Sequence, residues 1–149
     1  MCNKIGYCPQ INSISATLTV RENLVLFATL KGFNKAEAAR VAKEQAIRFK
    51  IIQFFNRRSG NLSGGNKRKL MTAISMLGNP SVIFLDESSA GVDPYSRRLL
   101  WKTIRDESKR SALIVTTHSM EEAEALGTKM AIMVEGEFKC FGTSQEIKE

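Results

Sequence analysis

Two kinds of apolar spacing divide the chain. From about Ile11 to Arg58 the apolar positions recur at helical intervals behind polar caps. Thr19-x-x-Glu22 is a capping box ahead of Val20 to Leu30, and Gly32 supplies a stop. Asn34-x-x-Glu37 repeats the device before a helix rich in Ala, Glu, Lys and Arg, with Val41 and Ile47 among its apolar positions. The turn-prone stretch Asn56 to Asn61 ends this region. From Leu62 onward helix and strand alternate. The helix after Ser63 carries Leu70, Ile74 and Leu77 on one face, and Asn79-Pro80 breaks it. Ser81 to Leu85 is a continuous apolar run, the pattern of a strand buried on both faces of a parallel sheet. Asp93-Pro94 is a cap followed by proline at the first helical position, for a helix running toward Lys109. Ala112 to Thr116 predicts a second buried strand. Ser119-x-x-Glu122 caps a helix ending near Leu126-Gly127, and Lys129 to Val134 with Glu137 to Phe141 predict a hairpin across Glu135-Gly136. Alternating strands and helices point to an α/β fold with a mainly parallel core sheet plus a helical subdomain over 11–61, the core comprising 1–10 and 62–149.

Composition narrows the class. At 149 residues the chain is about one domain long, with 43% hydrophobic and 25% charged residues, as in a soluble globular domain. Apolar runs are far shorter than the ~20 residues that span a bilayer. Met1-Cys2-Asn3-Lys4 leads into no apolar stretch, so no signal peptide is expected. The net charge is +7, carried in small clusters: Arg57-Arg58, Lys67-Arg68-Lys69, Arg97-Arg98 and Lys109-Arg110. These are scattered along helices without interleaved aromatics, so they read as solvated faces and no nucleic acid is expected. Cys2, Cys8 and Cys140 lack metal-ligand spacing and read as reduced thiols.

Three tracts carry chemistry. In Ser63-Gly64-Gly65, Ser63 can cap a helix whose first amides point outward, and two glycines let an anion approach that backbone with no Cβ in the way. The helix dipole adds about 0.3–1 kcal/mol of anion preference when exposed. Alone, such a triplet is a flexible turn. Asp86 and Glu87 end an apolar strand, where open α/β sheets bind ligands. Adjacent carboxylates there can divide the work, one holding Mg²⁺ and the other activating water as general base; in isolation the pair also reads as two solvated acids. His118, the one histidine, follows the other predicted strand at the same sheet edge, where it can donate to a phosphoryl oxygen; taken alone, a single histidine also reads as structural.

In order and spacing these tracts resemble the nucleotide-binding domain of an ATP-binding-cassette (ABC) ATPase. Gln10, in Gly6-Tyr7-Cys8-Pro9-Gln10, is similar to the family's Q-loop glutamine, and Leu62-Ser63-Gly64-Gly65-Asn66 to its signature motif. Val82 to Glu87 resembles Walker B, Ser89-Ala90-Gly91-Val92-Asp93 the D-loop, and His118 the switch histidine. The wording is similar to the A subfamily of eukaryotic ABC transporters, which move lipids. The resemblant tracts are Leu62 to Leu70, Thr116 to Leu126, and Gly136-Glu137-Phe138-Lys139-Cys140.

The resemblance implies a P-loop NTPase core using ATP and Mg²⁺. It implies Asp86 and Gln10 at the metal, Glu87 as catalytic base with His118 and Gln10 beside it, and Ser63, Gly64, Gly65 and Asp93 on nucleotide. In the family ATP lies between two such domains, so the implied partners are a second nucleotide-binding domain and transmembrane domains, at the cytoplasmic face of a membrane. Three departures bear on this. Ser88 stands where the family usually has proline, and without that rigid ring the loop after Glu87 is expected to be looser. No Gly-x-x-x-x-Gly-Lys-Ser/Thr occurs, and Gly60 to Lys67 is out of register for one. The Walker A loop and its strand, with the aromatic residue that stacks on adenine, are thus expected upstream of Gln10, outside the chain. ATP hydrolysis is expected of an intact domain and not of the chain alone. In the family the Walker A strand lies beside the His118 strand, so Ala112–Thr116 is expected to show an unpaired edge and the hairpin to stand apart. Two alternatives are a soluble ABC-type ATPase of DNA repair or translation and a non-catalytic regulatory fragment. Against the repair members, only residues 11–62 separate Gln10 from Ser63, with no sustained heptads. Intact Asp86, Glu87 and His118 argue against loss of the catalytic side.

Overall fold

Capping decides where the first helices begin. A computed structural model describes residues 4–148. Both capping boxes form: Thr19 and Glu22 close one at α1 (Val20–Leu30), Asn34 and Glu37 the other at α2 (Lys35–Arg48). Gly32, at φ +96°, turns the chain between them in a conformation costly to other residues. Ser63 caps α3 (Gly64–Ser75) by accepting from the Asn66 amide. Asp93 caps α4 (Pro94–Glu107) by accepting from the Ser96 amide, with proline inside the first turn as expected.

The sheet has strands β1 (Ile5–Cys8), β2 (Val82–Asp86) and β3 (Ala112–Thr116), all parallel, in that order. β1 overlaps the tract Gly6 to Gln10 read only as the Q-loop; the glycine at its second residue hid it. Helix α5 (Met120–Leu126) follows β3. Then β4 (Met130–Val134) and β5 (Glu137–Gly142) form an antiparallel hairpin as a separate sheet, followed by α6 (Ser144–Lys148). Among the described residues β3 pairs with β2 alone, so the open edge and separate hairpin both occur.

The core is one apolar cluster on one side of the sheet. Cys8, Ile83 and Leu85 pack with Leu70 and Ile74 of α3 and Leu100 and Ile104 of α4, and the cluster continues into Leu24, Ala28, Ala42 and Ala46 of α1 and α2. Burial on both faces, expected for β2 and β3, does not occur. Phe84 is 36% exposed and Ile114 49%, while Leu113 and Val115 are half-buried. An unbroken apolar run states that both faces avoid water; it does not state that the described residues cover both. No helix among them is long and apolar enough to cross a membrane.

Candidate functional site

The carboxyl edge of the parallel sheet gathers the chemistry. Asp86 ends β2, and its carboxylate accepts from the hydroxyl of Thr116, its register partner at the end of β3. Glu87 comes next with a left-handed backbone, φ +47°, a region that is strained for a residue with a Cβ. Its amide donates to the Thr116 carbonyl at 3.0 Å, and its carbonyl accepts from the Ala90 amide at 3.1 Å. This turn aims the side chain at the loop after β3, where His118 Nδ1 lies 3.5 Å from Glu87 Oε1. Glu87 is part-buried (28% side-chain exposure), whereas His118 is 78% exposed. A cleft of about 150 Å³ opens between them, lined also by Ser89, Gly91, Arg97 and Ser119. Arg97 donates to the Val92 carbonyl at 3.2 Å, and its Nε is buried with no partner among the described residues.

The Ser63 turn forms a second face. Ser63 is exposed, and its oxygen already accepts from Asn66, which leaves the hydroxyl proton free to donate outward. A Cβ built on Gly64 meets nothing within 4 Å, and one on Gly65 meets only ordinary contacts, 3.7 Å from the Val92 Cα. Neither glycine has positive φ. Among the described residues, therefore, no close contact or positive φ requires glycine at 64 or 65. The Val92 contact also sets the tract 89–93 beside the turn. Asp93 is exposed, and its carboxyl is held below the usual aspartate range by the Ser96 amide first and the Ser96 hydroxyl second. Gln10 is exposed just past β1.

Asp86, Glu87 and His118 thus meet at one edge, and Ser63, Gly64, Gly65 and Asp93 lie on neighbouring caps. Two further residues, Arg68 and Glu122, organise these loops in a role the sequence did not assign to them. Arg68 is 3% exposed and donates to the carbonyls of Pro9, Gln10, Asp86 and Glu87. Glu122 is 2% exposed and accepts from Ser88 Oγ at 3.1 Å, Trp101 Nε1 at 3.2 Å and Thr117 Oγ1 at 2.6 Å. Ser88, fully buried, therefore does not loosen the loop after Glu87, because a hydrogen bond ties it down where a proline ring would stiffen it. Ser119 does cap α5, accepting from the Glu122 amide, but the Glu122 side chain turns to the core instead of closing a box. Trp101 on the inner face of α4 was the available signal, since a buried indole N–H requires an acceptor.

Comparison with known proteins agrees with this geometry. A family model described as ABC transporter matches residues 1–90. ATP-binding cassette sub-family A member 7 of Mus musculus is 46% identical over 145 residues, 97% of this chain and 7% of its own length. Phospholipid-transporting ATPase ABCA3 of Homo sapiens is 47% identical over 147 residues, 97% of this chain and 9% of its own. The chain thus spans less than a tenth of these relatives. Among solved structures, the dimeric post-hydrolysis state of the ATP-binding cassette MJ0796 bound to ADP and Pi matches with a TM-score of 0.86 at 22% identity, covering 95% of this chain and 63% of that one. That likeness shows the fold, part of a P-loop NTPase core with a mainly parallel sheet. With the family model spanning more than half of it, the chain belongs to the ABC transporter family.

Proposed function

We propose that this chain supplies the signature face and the catalytic carboxylate of an ATP-hydrolysing domain that drives lipid movement by a membrane transporter. One observation carries the reading: Glu87 and His118 meet at 3.5 Å on the carboxyl edge of a parallel sheet. The glycine turn beside them, which no close contact among the described residues requires, supports it. The lipid cargo rests on relatives named as phospholipid-transporting ATPases.

In this reading Glu87 takes the proton of the attacking water, a role worth about 10²–10⁴-fold. Its part-buried carboxylate is aimed by the backbone turn, while exposed His118 can donate to a phosphoryl oxygen. Asp86 and Gln10 would hold Mg²⁺; one hard carboxylate and one amide oxygen suit an ion that also draws on phosphate oxygens. When bound, the ion neutralises charge on the terminal phosphates. Ser63 and the amides of Gly64 and Gly65 face ATP held by a second nucleotide-binding domain, and Asp93 lines that junction. Residues 11–61 serve as the helical subdomain and 1–10 with 62–149 as the α/β core. The domain works beneath transmembrane partners at the cytoplasmic face of a membrane, without nucleic acid.

Sedimentation tests the reading. The chain is mixed with a complete, hydrolysis-deficient homologous domain, with and without Mg-ATP. We expect ATP-dependent association that Ser63→Arg blocks and His118→Ala leaves nearly unchanged, because His118 serves the other site. No ATP-dependent shift from a folded sample sinks the proposal, and equal losses from both substitutions show the faces to be assigned wrongly.

A further inference from the structure

Among the described residues the Arg68 guanidinium holds no carboxylate. Its partners are four backbone carbonyls at the carboxyl ends of two neighbouring strands: Nη1 donates to Pro9 at 2.7 Å and Gln10 at 2.9 Å, Nη2 to Asp86 at 2.6 Å and Glu87 at 2.5 Å, and Nε to Glu87 at 3.1 Å. A buried cation is costly unless its donors are met, and here carbonyls at the part-buried and exposed strand ends meet them. The Glu87 carbonyl takes two of these bonds, and Glu87 is the residue whose backbone stands in the left-handed region. Arg68 lies on α3, five residues beyond Ser63, or about 7.5 Å along the helix at ~1.5 Å per residue. The turn that faces outward and the guanidinium that grips the sheet edge therefore move as one rigid piece.

We propose that Arg68 is a positioning residue that sets Glu87 and the Gln10 loop in register with the Ser63 turn. A displacement of the signature helix then reaches the catalytic carboxylate of the same chain directly. The assignment of roles to Glu87 and Ser63 rests on the proposed function; the geometry of the clamp does not. Lysine cannot replace arginine here, because one ammonium cannot span carbonyls on two strands as a planar fork does.

The single histidine makes this testable in the 149-residue chain, because its ring gives one isolated resonance. The Cε1–Hε1 shift of His118 is measured by NMR with and without E87Q, in the native and R68K backgrounds, with circular dichroism to establish folding. We expect E87Q to move the His118 resonance in the native background and most of that displacement to vanish in R68K. An equal displacement in both overturns the proposal. Should R68K not fold, the native chain decides: an Arg68 Nε–H that exchanges as slowly as the β2 amides supports the clamp, and exchange at the free-arginine rate overturns it. A second arm adds the ATP-loaded partner domain, which should move the His118 resonance in the native chain and not in R68K. A native chain that never binds that partner refutes the reading of the Ser63 face, and the free-chain comparison still decides Arg68.

Discussion

Glu122 joins the loop after Glu87, the loop before His118 and the inner face of α4 through three hydrogen bonds to one carboxyl group. Glu122→Ala removes the acceptor and leaves its donors behind. Ser88 is fully buried and Trp101 nearly so, and neither has another side-chain partner among the described residues, whereas half-buried Thr117 can turn to water. Two buried, unsatisfied donors at about 1–3 kcal/mol each give a loss of about 2–6 kcal/mol. Against total stabilities of about 5–15 kcal/mol for ordinary domains, that loss brings the chain close to unfolding. Glu122→Gln keeps an acceptor oxygen for Ser88 and Trp101 and should cost about one net hydrogen bond, ~0.5–1.5 kcal/mol. Urea unfolding followed by tryptophan emission measures both, since Trp101 is the only tryptophan and reports the cluster itself. An alanine variant within about 0.5 kcal/mol of wild type, the range of an uninvolved surface site, with unchanged emission, refutes the reasoning. A glutamine variant as damaged as alanine refutes the acceptor count.

The remaining expectations follow from caps, glycines and thiols. Because folded Asp93 is held below its ordinary value, its contribution is full above the unfolded value of about 3.9 and is lost as pH falls through the folded value. Asp93→Asn caps comparably, so its Tm should match wild type at neutral pH and fall less steeply in acid; parallel curves throughout the acid range would show that Asp93 does not titrate with folding. A Cβ at Gly6 would stand 2.1 Å from the Ser75 carbonyl, so Gly6→Ala should cost about 1–3 kcal/mol of overpacking in a urea titration. Gly64→Ala, built into open space, should stay within about 0.5 kcal/mol of wild type; similar costs at both sites would contradict the packing. Burial encloses the Cys8 thiol and pushes its pKa up, so iodoacetamide should modify Cys140 well before Cys8 in the native chain; equal rates by peptide mapping would show the sheet edge to be open.

The sequence by itself determined whatever depends on neighbours a few residues apart. The caps at Thr19, Asn34, Ser63, Asp93 and Ser119 all form, because a cap is a contact between a side chain and an amide two or three positions on. Asp86, Glu87 and His118 were legible as an edge cluster because parallel strands place their carboxyl ends together. Tertiary structure alone decided the rest. Lys67-Arg68-Lys69 read as a solvated cluster, yet Arg68 is buried, since its partners lie 18 to 59 residues away and no local pattern encodes them. Ser88 read as the loss of a rigid ring until Glu122, 34 residues on, was seen to hold it. Phe84 and Ile114 read as core, but whether an apolar face is covered depends on which elements pack over it, and here the helices take only the other side. Spacing along the chain fixes which groups can reach one another locally; burial and partnership across the sheet edge are set by which segments the fold brings together.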